Sequence, residues 1–148
     1  MSFTRFFHLI SYLQYPLMAI ALYFIFTPYI IGFDIVVKNP QLFFNAVNKT
    51  LLFAGLGISF STLQDTAKAQ NKFSRKIWES PRKGKAFIIF ICCQIVLLLS
   101  FALYGYFVTT NPKIKELSLG TFVLAIGMIS LLKAGVEMYE NHQKAKQS

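Results

Sequence analysis

Charge and reactive side chains are scarce in this chain. Only 14% of its 148 residues are charged, and there are six acids, two histidines, two cysteines and one tryptophan. The cysteines, Cys92 and Cys93, are adjacent. Neighbours in a helix point to different faces, so they neither bridge to one another nor match the spaced pairs of thiol redox sites. Cys/His metal spacings are missing, as are a phosphate-binding glycine loop, an intramembrane carboxylate pair and a Ser/His/Asp set. His8 and His142 lie outside the apolar stretches, which leaves haem between helices without obvious ligands. The residues therefore suggest no catalysis, no metal and no cofactor. With 55% hydrophobic residues, the chain has no stretch left over for a water-soluble domain.

What it has instead is four long apolar runs, 13–33, 42–63, 86–109 and 117–132, whose centres carry no charge. About 20 apolar residues as helix cross a bilayer. The expected fold is all-α, a single integral membrane domain over 1–148 built as a four-helix bundle with transmembrane helices near 9–33, 42–64, 84–109 and 117–139. Arg5 precedes the first run, but bulky Tyr23, Phe24 and Phe26 occupy the region where a small-residue cleavage pattern would lie, so the first helix is expected to be retained.

Fifteen Lys and Arg outnumber the acids, and seven of them fall in the joint between the second and third runs. Positive joints stay cytoplasmic, which predicts an N-in, C-in topology with both termini inside, in a membrane of the prokaryotic inner-membrane type. Within the joint 65–85, Ala69, Phe73 and Ile77 recur at helical spacing, as in an amphipathic helix lying on a membrane. Lys72, Arg75, Lys76, Trp78, Arg82, Lys83 and Lys85 are the expected contacts to anionic lipid headgroups, each cation contributing about 1 kcal/mol. Nucleic acid is not an expected partner, because no recognition motif accompanies the charge. Ser80 and Pro81 read as the N-cap and first position of the third helix.

Helices in lipid meet through small residues, since hydrocarbon supplies no drive to bury apolar side chains. Asn48, Gly55 and Ser59 step along one face of the second run, and Gly120, Gly127 and Ala134 along one face of the fourth, which predicts the inward seam. A buried amide needs a bonding partner, so Gln94 is expected to point inward, toward a backbone carbonyl or a hydroxyl such as Ser59 or Thr62. Lys49, about two turns into the second helix, is expected to lift its ammonium to the interface. Residues 72 apart also match: Asn39–Pro40 falls on Asn111–Pro112, Leu52 on Leu124 and Gly55 on Gly127, as two tandem helical hairpins would give.

Three function classes fit these residues. The first is a non-catalytic accessory or oligomeric subunit of a membrane assembly, paired with further copies or another membrane protein and held to anionic lipid by its basic joint. The second is a small homo-oligomeric channel or solute transporter with Asn48, Ser59, Thr62 and Gln94 as its polar strip. The third is a membrane enzyme acting on lipid, drawing its acid from Asp65, Glu79 or Glu137.

Overall fold

The computed structural model describes residues 3–63, 77, 78 and 80–147. All regular structure among them is helical: α1 (Phe3–Ser11), α2 (Gln14–Ile31), α3 (Phe33–Lys38), α4 (Pro40–Ser61), α5 (Pro81–Phe107) and α6 (Pro112–Gln147). Among the described residues four stretches are long and apolar enough to cross a membrane, Arg5–Ile31, Pro40–Ser61, Pro81–Phe107 and Pro112–Lys144. Even the shortest, at 22 residues, reaches about 33 Å at a rise of about 1.5 Å per residue, enough for a hydrocarbon core of about 30 Å. This is an all-helical membrane protein.

Local chemistry sets the helix ends. Pro16 has no N–H to offer the Tyr12 carbonyl, and the chain tightens there: Tyr15 N donates to Tyr12 O at 3.2 Å and Leu13 N to Ile10 O at 3.0 Å. That turn separates α1 from α2. Gly32 ends α2 with φ +101°, a conformation that a Cβ disfavours, and so stops the helix earlier than the apolar run does. Both α4 and α6 start on Asn-Pro, with proline at the first helical position, where its missing donor costs nothing. In α6 the Asn111 side chain accepts from Lys113 N at 3.0 Å. Helix α6 thus begins at Pro112, ahead of the residue 117 expected from hydropathy, and runs beyond 139 to Gln147. At α5, Ser80 is extended before Pro81 but makes no side-chain cap bond.

The helices pack in sequence, α2 on α4, α4 on α6 and α6 on α5. Among the described residues α2 and α5 share no packed interface, so the bundle is an open row with α4 and α6 at its centre. Accordingly the fourth span is the most buried and the first the least. Outward faces of α2 and α5 carry large apolar side chains, Tyr23, Ile30, Leu97 and Phe107 among them. That is the surface expected where lipid is the solvent.

Candidate functional site

The seam between α4 and α6 is built from backbone-level contacts. A Cβ added to Gly55 would lie 2.6 Å from the Val123 carbonyl oxygen and 2.7 Å from Leu124 Cα, and one added to Gly127 would collide with the Gly55 carbonyl. Neither site has room for a methyl group. One end of the seam is fixed by an amide: Gly120 N donates to Asn48 Oδ1 at 2.9 Å, and Asn48 is buried. An interhelical bond of this kind contributes about 0.6–2 kcal/mol in a membrane protein. Because Asn48 meets Gly120 and Gly55 meets Gly127, the two helices run in the same direction with matched registers.

The hydroxyls on and just after α4 are satisfied by their own helix. Ser59 donates to the Gly55 carbonyl at 3.0 Å and Thr62 to the Ser59 carbonyl at 2.8 Å. Ala134, farther along α6, is buried. The strip Asn48, Ser59, Thr62 and Gln94 does not assemble. Gln94 is exposed, because the inward face of α5 is taken by Gly84, Ile91, Ile95, Ala102 and Gly105, and the amide lies around the helix from that stripe. The inward orientation expected of Gln94 is therefore corrected.

Trp78 also departs from expectation. It is 4% exposed, not spread on an interface, and its ring meets Phe87 edge-on at 5.6 Å. Room for it comes from Gly135 and Gly84, whose missing side chains would stand 3.2 and 3.5 Å from the indole. Small residues therefore dock a tryptophan at the end of α5 and α6 that carries the cations. Arg82, Lys83 and Lys85 are exposed there, as headgroup contacts must be, while Lys72, Arg75, Lys76, Asp65 and Glu79 lie outside the described residues. Lys133 and Glu137 approach to 3.7 Å on the exposed surface of α6, a pair that adds little in water.

Lys49 is exposed on α4, its ammonium 5.1 Å from the centre of the Phe24 ring, which stacks on Phe53 at 5.8 Å. The cation is thus held on an aromatic face of α2.

Polar residues that sequence reasoning passed over also sit in the packing. Ser118 and Thr121 are buried on α6, donating to Ile114 O at 2.7 Å and Leu117 O at 2.9 Å. Ser118 is the residue against which Gly105 closes. Asn45 Oδ1 is buried without a bonding partner among the described residues, and Gln41 Nε2 donates to Glu116 Oε2 at 3.2 Å. The available signal was spacing, since 41, 45 and 48 share a face of α4.

Two apolar clefts flank the seam. One, of about 330 Å³, lies between α2, α3 and α4 and includes Ala46, Val47 and Thr50. The other, of about 270 Å³, lies between α5 and α6 and includes Ser118, Leu119 and Phe122. Neither is lined by Asn48, Ser59, Thr62 or Gln94. No cluster of three metal-binding side chains occurs among the described residues. No protein-family model, curated protein or solved structure matches this chain.

Proposed function

We propose that this protein is a non-catalytic subunit of a membrane assembly, held to anionic lipid by its basic segment, with both termini on the cytoplasmic side. The observation that carries the reading is where the intramembrane polar groups go. Asn48 bonds across the seam, and Ser59, Thr62, Ser118 and Thr121 bond to their own helices, so these groups serve packing. A rigid central pair with two broad apolar flanks suits a structural part that other subunits lie against. Native mass spectrometry of protein extracted in mild detergent tests this. The expected species is an oligomer or a complex with a second membrane protein, with anionic lipid retained. A lipid-free monomer at all detergent concentrations would sink the reading.

The topology rests on positive charge. Arg82, Lys83 and Lys85 lie at one end of α5 and close a joint with seven Lys and Arg, whereas the two opposite joints hold only Lys38, Lys113 and Lys115. Two tandem hairpins related by an axis along the membrane normal are part of the same reading. Support comes from the seam, where Asn48 meets Gly120 and Gly55 meets Gly127, residues that the 72-residue comparison superposes. The two clefts share three positions on the α4 and α6 side, where Ala46, Val47 and Thr50 correspond to Ser118, Leu119 and Phe122, while their α2 and α5 sides are lined at different positions. With Cys92 and Cys93 replaced by serine, an impermeant thiol reagent should reach Lys38→Cys and Thr110→Cys from outside and Lys83→Cys from inside. Labelling of positions 38 and 110 from opposite faces rejects the hairpin relation, and labelling of 83 from outside rejects the topology.

A further inference from the structure

Gln94 is the central residue of Pro81–Phe107, the most hydrophobic span of the chain. At about 1.5 Å per residue it lies about 20 Å from either end of the helix, at the depth where hydrocarbon offers no water to an amide. It is exposed on the surface of the chain, and no described residue hydrogen-bonds to it. A polar group placed there tends to face another protein.

The surroundings of Gln94 describe that other surface. Phe90, Leu97 and Tyr104 recur every seven residues, and Gln94 and Phe101 interleave with them at spacings of three and four. This is the repeat by which two helices pack side by side, with one polar position setting the register. Phe90, Leu97, Phe101 and Tyr104 are 57%, 69%, 46% and 63% exposed, so nothing in the row covers them. The inward stripe Ile91, Ile95, Ala102 and Gly105 occupies another side of the helix.

We propose that this face of α5 binds the same face of a second copy of the chain, with the two Gln94 amides bonded to each other. The chemistry favours a copy of this chain over an unlike partner. A primary amide carries both donor and acceptor, so two of them exchange N–H···O bonds across a two-fold axis. Copies inserted in one orientation must have that axis along the membrane normal. Their α5 helices then run parallel, and residue 94 meets residue 94 at equal depth. The inference deepens the subunit reading by naming one contact, and rests on it for its biological use.

The test uses the full chain in lipid bilayers, with Cys92 and Cys93 replaced by serine. Under mild oxidation Leu97→Cys should give a disulfide-linked dimer, whereas Leu103→Cys, on another flank of the same helix, should stay largely monomeric. Gln94→Leu should weaken dimerisation, read by energy transfer between labelled copies, by about 3- to 30-fold, the span expected for one interhelical polar contact. Equal cross-linking at 97 and 103, or a dimer indifferent to Gln94→Leu, overturns the proposal. Cross-linking of Leu97→Cys only to a different protein also overturns it while leaving the subunit reading intact. Failure of both the cross-link and every complex in native mass spectrometry removes the two together.

Discussion

Leucine at position 127 should pull α6 off α4 and lower the stability of the folded protein by about 3 kcal/mol or more, near or above the top of the range for overpacking. The collision is with main chain. A Cβ at 127 already meets the Gly55 carbonyl, and a helix backbone cannot step aside as the end of a flexible side chain can. Separating the helices would also stretch the bond from Gly120 N to Asn48 Oδ1 and open the dispersion contacts that hold a helix pair together in lipid. Gly55→Leu attacks the same contact from the other side, where Val123 and Leu124 backbone atoms stand 2.6–2.7 Å from a Cβ. Gly127→Ala should cost less, because one methyl group needs a smaller shift. The measurement is reversible unfolding in mixed micelles of mild and denaturing detergent, followed by ellipticity. A loss of 3 kcal/mol lowers the folding equilibrium constant by about two orders of magnitude. A leucine variant that unfolds at the parental midpoint would show that α4 and α6 do not meet as described.

Why the seam could be read from sequence while the orientation of α5 could not follows from the solvent. In water, polar residues mark the outer face of a helix and apolar residues the inner one. In lipid both faces are apolar, so that contrast vanishes. What remains is size, and size was informative in α4 and α6, where glycines and Asn48 step by four and three along one line and the structure brings those lines together. In α5 the one side-chain amide was a misleading guide. Gln94 was expected inward on the premise that its partner is in the same chain, whereas the packed stripe is marked only by Gly84, Ala102 and Gly105 among bulkier neighbours. Helix ends were legible where chemistry is local, as at Pro81. They were missed where it competes with hydropathy, as at Gly32, which cuts an apolar run, and at Asn111, whose cap starts α6 among charged residues.

Trp78 exposes the same difficulty at the interface, because a tryptophan beside a basic segment satisfies two rules at once. Amphipathic rings favour the headgroup region, and large rings also fill gaps between helices. The structure takes the second course: Gly84 and Gly135 leave a slot, Phe87 meets the ring edge-on, and 4% of the residue stays exposed. Trp78→Ala should therefore behave as a core truncation and cost about 3–5 kcal/mol. Trp78→Phe should recover more than half of that loss, since a smaller ring keeps the aromatic contact but leaves part of the slot beside Gly135 empty. Two readouts separate this from a role in gripping headgroups. In the folded parent, Trp78 fluorescence should be shielded from a water-soluble quencher, and Trp78→Ala should lower the unfolding midpoint equally in neutral and anionic micelles. An interfacial anchor would give the opposite pattern, with an accessible ring, an almost unchanged midpoint and a loss confined to anionic lipid. Should that pattern appear, the contact of Tyr139 with Gly84 would still join α5 to α6 at this end, and the basic segment would be held by lipid instead of by the fold.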